Sequence, residues 1–187
     1  GYASDQFSRA GVARLAMNMM DEGTDSRNAL DISDELITLG ATLGTSSNLD
    51  RSTVSMSTLS TTLDDALELF SDVVINPAFP EKEMERLRTQ QITGIQREKT
   101  SPTAMAGRVL PGLIFGDDHA YSNPLAGSGT IESTKSITLD ELRAFHDTWF
   151  KPNQATLIIV GDTTMEEVLP QLQRRFGKWK SGDVPVK

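Results

Sequence analysis

The sequence predicts an α+β domain in which helices pack on one face of a mostly antiparallel sheet. Most segments carry apolar residues at three- and four-residue spacing, which is typical of amphipathic helices. Two neighbouring segments instead alternate apolar and polar residues, which is typical of half-buried strands. Helices and strands do not alternate regularly along the chain, which argues against a parallel α/β sheet. The predicted order of elements is α-α-β-β-α-α-α-α-β-α.

The chain is predicted to begin with two helices. The first covers residues 10–21 and ends before Gly23. Ser26 is expected to cap the second, over residues 28–39. The apolar residues that should form its buried face are Leu30, Ile32, Leu36 and Leu39.

A β-hairpin should follow, formed by residues 41–49 and 52–59 with Asp50-Arg51 at the turn. Residues 63–74 then repeat Leu, Ala, Phe and Val at helical spacing, so we expect an amphipathic helix that ends before Asn76-Pro77.

Three further helices are predicted in the second half, over residues 80–99, 103–114 and 138–150. Thr138 and Glu141 have the spacing of a capping box at the start of the third. The intervening residues 116–130 are rich in Gly, Asp, Asn, Pro and Ser, which indicates a loop.

Residues 155–160 (ATLIIV) form a short continuous apolar run, which predicts a fully buried strand. A last helix is expected over residues 165–176, and residues 177–187 should form an extended polar tail. Residues 1–187 are therefore interpreted as one domain.

Composition excludes several classes of function. The chain of 187 residues has a net charge of −8 and no basic cluster, which argues against nucleic acid or an anionic membrane surface as a partner. It has no cysteine, which excludes disulfides, thiolate catalysis and zinc fingers. No run approaches the roughly 20 apolar residues of a membrane span.

Few residues offer catalytic chemistry on their own. His119 and His146 are far apart in sequence, so each is interpreted as a hydrogen-bonded structural histidine rather than a metal ligand. Gly127-Ser128-Gly129 lacks the rest of a dinucleotide-binding fingerprint. The residue types alone indicate no active site.

Several motifs nevertheless occur in a recognisable order. Residues 11–24 (GVARLAMNMMDEGT) are similar to the first motif of the pitrilysin/insulinase family of zinc metallopeptidases, G-h-A-H-x-x-E-H-h-h-x-x-G-T. The other matching segments are residues 39–41 with the hairpin, residues 76–80 (NPAFP), Glu85-Arg86, the loop 115–128, residues 142–152 (LRAFHDTWFKP) and residues 155–162 (ATLIIVGD).

The resemblance fails at the metal site. In active members of the family, two His bind zinc and the Glu between them is the general base. Those positions here are Arg14, Met17 and Asn18. The stretch that matches the family's third ligand, residues 90–95 (QQITGI), contains no carboxylate. We therefore expect no catalytic residue and no metal ligand in this chain, and the resemblance identifies no substrate-binding residue.

The resemblance implies a role in an assembled peptidase. It implies that the chain covers most of one α+β unit of a non-catalytic half, with its opening strands missing. Such a half supplies chamber wall, contacts to an unfolded or extended peptide, and docking for a homologous zinc-bearing half, in the same polypeptide or a separate subunit. The zinc would belong to that catalytic half. The family favours the bacterial periplasm or export. Two alternatives stay open: an active zinc endopeptidase with an atypical metal site that uses His119, His146 and scattered acids, and a purely structural scaffold subunit.

Overall fold

The computed structural model describes residues 1–117 and 119–186; Asp118 of the predicted loop and Lys187 of the predicted tail lie outside this part. Within it the helices are α1 Val12–Met19, α2 Ala29–Leu39, α3 Leu63–Ile75, α4 Glu81–Glu98, α5 Pro102–Phe115, α6 Ile131–Ser136, α7 Leu139–Trp149 and α8 Met165–Phe176. The strands are β1 Thr42–Ser47 and β2 Ser52–Ser57. Short 3-10 turns cover Tyr2–Phe7, Ser60–Thr62 and Pro152–Gln154. The predicted α+β class is confirmed.

The two strands form the predicted antiparallel hairpin, with Thr42 opposite Ser57 and Ser47 opposite Ser52. Asn48 shapes the turn, because its Oδ1 accepts hydrogen bonds from the backbone N–H groups of Asp50 and Arg51. Alternate residues of β2 are half-buried, and this face packs on the core through Val54 and Met56. The register therefore follows the alternation in the sequence.

Helix α1 lies at the centre of the core, where it contacts α4, α7 and β1. Of its eight residues, six are buried. The core around it is completed by apolar side chains from most other elements, among them Ile32, Leu69, Val73, Phe79, Met84, Ile137, Leu142 and Phe145. A helix that is buried on nearly every side must be apolar all round, and α1 is apolar except at positions 14 and 18.

Helix α8 docks on α3 through both apolar and charged contacts. The rings of Phe70 and Phe176 meet edge to face with centroids 6.4 Å apart. Arg175 is 3.1 Å from both the Asp64 and the Glu68 carboxylates. The bounds of α8 agree with the prediction, and a capping box from Thr164 and Glu167 fixes its first turn.

The predicted buried strand at residues 155–160 is wrong. This segment is neither helix nor strand, and Leu157, Ile158 and Val160 are 45%, 78% and 92% exposed. A continuous apolar run becomes a buried strand only when neighbouring strands pair with it. The sheet in the described part of the chain has two strands, β1 and β2, and neither reaches this run.

Three local predictions are also corrected. Helix α6 was not predicted; it begins at a capping box between Thr130 and Ser133, a pair that lacks the usual Glu or Gln. Asn28, not Ser26, caps α2, and the Ser26 hydroxyl instead donates to Asp72. Leu30 is 74% exposed rather than part of the buried face of α2.

In residues 1–117 and 119–186, no helix has both the length and the apolar character to cross a membrane.

Candidate functional site

The candidate site is the surface of α1 that carries the altered motif, together with the elements packed against it. Asp5 fixes the start of α1, because its carboxylate accepts hydrogen bonds from the backbone N–H groups of Gly11 (2.7 Å) and Ala13 (2.9 Å). Asp5 is only 4% exposed. Burial raises the pKa of Asp5 to about 7, although the hydrogen bonds from Ala13 and Gly11 act in the opposite direction.

The three motif positions occupy two different environments. Arg14 and Asn18 lie one turn apart on the same face of α1, and both are partly exposed. Met17 points into the core and is 1% exposed. A general base must reach a water molecule on the substrate side, and position 17 faces packed apolar side chains.

Arg14 is held in place by two contacts. Its guanidinium donates a hydrogen bond to the carbonyl oxygen of Ala126 at 2.8 Å. One of its nitrogens also lies 3.9 Å from the Glu98 carboxylate, at the end of α4. Arg14 therefore joins α1 to the end of α4 and to the loop that precedes α6.

Glu98 is shared with a second arginine. Arg108 of α5 approaches the same carboxylate at 2.5 Å, and the Ser128 hydroxyl donates to it at 3.0 Å. Arg108 also donates to the backbone oxygen of Gly129 at 2.7 Å. Both charged side chains are largely buried, with 11% of Arg108 and 16% of Glu98 exposed. One carboxylate thus lies between two guanidinium groups, and the cluster has a net positive charge.

The two glycines around Ser128 have a structural explanation. A Cβ on Gly127 would lie 2.4 Å from the Tyr2 ring, and one on Gly129 would lie 2.3 Å from the Ala10 oxygen. Both residues also have positive φ angles, 62° and 69°. The Gly127-Ser128-Gly129 loop is therefore shaped by its close approach to the residues before α1.

The stretch matching the family's third ligand contributes an amide. Gln91 is buried and donates to the carbonyl oxygens of Ser128 (3.1 Å) and Gly11 (3.3 Å). Its Oε1 atom has no hydrogen-bond partner among the described residues. The carboxylate of α4 that does approach α1 is Glu98, which lies outside the stretch 90–95.

Zinc does not fit this set of side chains. A guanidinium stays protonated and has no free lone pair, a buried thioether cannot take a proton from water, and an amide is a weak neutral donor. Across residues 1–117 and 119–186, no three His, Asp or Glu side chains are grouped closely enough to hold a metal ion. The chemistry of the α1 motif is therefore that of an ion-pair cluster.

The two histidines lie apart from this cluster. His119 Nδ1 accepts a hydrogen bond from the backbone N–H of Tyr121 at 3.0 Å, and its ring stacks on Phe115. His146 is buried, with Nε2 2.8 Å from the Val74 oxygen and its ring stacked on Phe150. Burial lowers the pKa of His146, which favours the neutral ring. Both make the local hydrogen bonds that the sequence suggested.

Sequence reasoning missed Asp5, Glu98, Arg108 and Ser128. Asp5 lies six residues before Gly11, the N-cap residue of α1, so the usual capping pattern does not reveal its role. The other three come from α4, α5 and the following loop, and no short-range pattern shows that they meet.

Comparisons with family models and with known proteins identify the family of the chain. Residues 1–128 match the family described as Insulinase (Peptidase family M16), and residues 136–187 match the family described as Peptidase M16 inactive domain. An uncharacterized zinc protease of Mycobacterium leprae is 24% identical over 90% of this chain and 37% of its own length. The bovine mitochondrial-processing peptidase subunit beta is 27% identical over 94% of this chain and 36% of its own. A non-peptidase homolog of Helicobacter pylori is 23% identical over 92% of this chain and 39% of its own.

Solved structures give the same result. A peptidase M16 inactive domain from Pseudomonas fluorescens superposes with a TM-score of 0.91 and 27% identity, over 100% of this chain and 45% of its own. Pitrilysin has the same fold, with a TM-score of 0.82 and 18% identity over 99% of this chain and 20% of its own. The chain thus spans less than half the length of these relatives. The similarity over residues 136–187 shows that the chain resembles the inactive domains of this family. Because the family model matches residues 1–128, the chain belongs to the insulinase family of peptidases, family M16.

Proposed function

We propose that this chain is part of the non-catalytic half of a zinc metalloendopeptidase. It supplies a wall of the peptide chamber, contacts an unfolded or extended peptide, and docks with a homologous half that carries the zinc. The observation that carries the proposal is the state of the α1 motif, in which Arg14 is paired with Glu98 and Met17 is buried. The motif positions offer a guanidinium, a buried thioether and an amide, and none of these groups activates water.

The lengths of the related structures support a partner half. The chain corresponds to 21% of the periplasmic protease PqqL of Escherichia coli and to 41% of the structure of its first half. Those proteins therefore contain further polypeptide beyond the region that this chain matches. We propose that an equivalent companion completes the chamber here, in the same polypeptide or as a second subunit, and that its zinc performs hydrolysis.

A reconstitution assay tests this role. A fluorescein-labelled unstructured peptide is incubated with the chain alone, with a zinc-bearing homologous half alone, and with both. We expect no cleavage by the chain alone and faster cleavage by the pair than by the catalytic half alone. Serum albumin in place of the chain controls for non-specific stabilisation.

The alternatives give different outcomes in the same assay. Cleavage by the chain alone that a chelator abolishes would establish the atypical zinc enzyme. If the two proteins copurify but the chain leaves the cleavage rate of the catalytic half unchanged, the chain is a structural scaffold. The similarity to a non-peptidase homolog is the observation that favours this alternative.

A further inference from the structure

A small open cavity lies between α5 and the loop that precedes α6. It has a volume of about 280 Å³, and its apolar lining comes from Ala104, Gly107, Leu125 and Ala126. Sites for whole small molecules usually measure ~300–1,000 Å³, so this cavity suits a single apolar side chain better than a complete small-molecule ligand.

Hydrogen bonds of Leu125 fix the loop against α5 and so preform the cavity. The Leu125 backbone N–H donates to the Gly107 oxygen at 3.0 Å, and the Leu125 oxygen accepts from the Tyr2 hydroxyl at 2.8 Å. The Leu125 side chain is nevertheless 58% exposed. An apolar group that entered the cavity would remove this surface from water without having to order the loop first.

A guanidinium with unused donors lies beside the cavity. Arg14 contacts two of the residues that line it, because Nη1 donates to the Ala126 oxygen at 2.8 Å and lies 3.9 Å from the Glu98 carboxylate. Among the residues that the structure describes, the Nε and Nη2 groups of Arg14 have no hydrogen-bond acceptor. The Arg14 side chain is 37% exposed, so this edge can donate two parallel N–H bonds to a carboxylate.

The charge of Glu98 does not exclude an anion from this place. The Glu98 carboxylate accepts hydrogen bonds from Arg108 at 2.5 Å and from the Ser128 hydroxyl at 3.0 Å, whereas 3.9 Å to Arg14 is too long for one. Arg108 therefore neutralises Glu98, and the positive charge of Arg14 is left to attract a second carboxylate.

We infer that the cavity and Arg14 together bind the C-terminal residue of a peptide. Its apolar side chain enters the cavity, and its α-carboxylate pairs with the Nε and Nη2 groups of Arg14. In a C-terminal residue the two groups leave the same Cα atom, so one ordered residue satisfies both neighbouring sites. The inference rests on the proposed contact with an unfolded peptide, and it is independent of chamber closure and of a zinc-bearing partner.

Fluorescence anisotropy with three peptides tests the inference on the 187-residue chain. The probe is a fluorescein-labelled Gly/Ser peptide that ends in leucine with a free carboxylate. The second peptide is its C-terminal amide, and the third is the amide with a glutamate placed before the leucine. We expect the free acid to bind about 10-fold or more tightly than either amide, because charged groups form the stronger hydrogen bonds.

Two matched pairs of variants locate the binding site. Arg14→Gln should abolish the preference for the free acid, whereas Arg143→Gln removes an equal charge from α7 and should retain it. Gly107→Leu should weaken binding of all three peptides, because a Cβ there lies 3.7 Å from Leu125 and the longer side chain fills the cavity. Gly112→Leu is the control on the same helix, with a Cβ 3.7 Å from Asp117. Circular dichroism checks that each variant is folded.

Four results would overturn the inference. Equal binding of the acid and its amide would show that no carboxylate is recognised. Equal binding of the acid and the glutamate peptide would assign the carboxylate to a side chain. A preference for the acid that survives Arg14→Gln, or affinity that survives Gly107→Leu, would place the peptide elsewhere.

The inference and the proposed function fail in different ways. Equal affinities for the acid and its amide, together with faster cleavage by the reconstituted pair, would contradict the inference alone. Tight, Arg14-dependent binding of the free acid by a chain that leaves the cleavage rate unchanged would contradict the role in hydrolysis and support the binding site.

Discussion

Glu98 of α4 and Arg108 of α5 form an ion pair of 2.5 Å beside the motif helix, and neither side chain is more than 16% exposed. Arg14, at a position where the resemblance places a zinc-binding His, lies 3.9 Å from the same carboxylate. Positive charge near the motif is therefore supplied by two guanidinium groups. These residues connect α1, α4, α5 and the loop before α6 through ion pairs and hydrogen bonds.

The first prediction concerns Glu98. Glu98→Gln leaves Arg108 largely buried without a carboxylate, and we expect a loss of about 2 kcal/mol in the free energy of unfolding, measured by urea denaturation. Arg143→Gln is the control, because the Arg143–Asp140 pair is exposed and should contribute less than about 1 kcal/mol. Equal effects of the two variants would contradict the role of the cluster.

The second prediction concerns Met17. Met17→Glu places a carboxyl group where the side chain is 1% exposed, so we expect a loss of about 3 kcal/mol or more in the free energy of unfolding. Met17→Leu conserves volume and polarity, and should cost less than about 1.5 kcal/mol. If Met17→Glu were as stable as Met17→Leu, position 17 would face solvent and the assignment of α1 would be wrong.

The third prediction restores the motif residues. Arg14→His, Met17→Glu and Asn18→His together should yield no peptidase activity, because the stretch 90–95 offers no carboxylate as a third ligand and position 17 is buried. The measurement is cleavage of an unstructured peptide, followed by mass spectrometry with added zinc. Any chelator-sensitive cleavage by this triple variant would contradict the account.

The fourth prediction is a pH dependence set by Asp5. The pKa of Asp5 is raised to about 7 in the folded chain, so between about pH 4 and pH 7 the folded chain holds a proton that the unfolded chain releases. Its contribution to stability is therefore greatest below pH 4 and falls by about 4 kcal/mol as the pH rises to 7. The unfolding free energy of wild type minus that of Asp5→Asn should therefore fall as the pH rises from 4 to 7. A flat difference would show that the carboxyl group is solvated.

The fifth prediction is a pH dependence set by His146, opposite in direction to that of Asp5. The pKa of His146 is lowered by burial, so the unfolded chain binds a proton more readily than the folded chain below about pH 6.5. His146 therefore contributes stability above that pH, and the contribution is lost as the pH falls through the lowered pKa. The unfolding free energy of wild type minus that of His146→Gln should rise with pH across this window. This slope is opposite in sign to the slope expected for Asp5→Asn. A falling difference would contradict the burial of a neutral ring.

The sequence predicted the fold best where local signals agreed. Thr138 with Glu141, and the apolar spacing of residues 165–176, predicted α7 and α8 closely. The hairpin followed from the alternation along β2. These elements are determined by residues within a few positions of one another.

Prediction failed where the outcome depends on distant partners. Residues 155–160 have strand composition, but an apolar run cannot reveal whether strands are available to pair with it. The candidate site shows the same limit. Arg14, Met17 and Asn18 could be recognised from one motif, whereas the contact of Glu98 with Arg108 and Ser128 depends on the packing of α4, α5 and a loop.

The central claim is that the α1 motif of this chain does not hold zinc, and its most direct test is metal content. The purified chain is dialysed against trace zinc and its metal is measured by elemental analysis. The account predicts zinc near zero per chain, because the motif carries a guanidinium, a buried thioether and an amide. About one zinc ion per chain would contradict it, and His119 and His146 would then be the first residues to substitute.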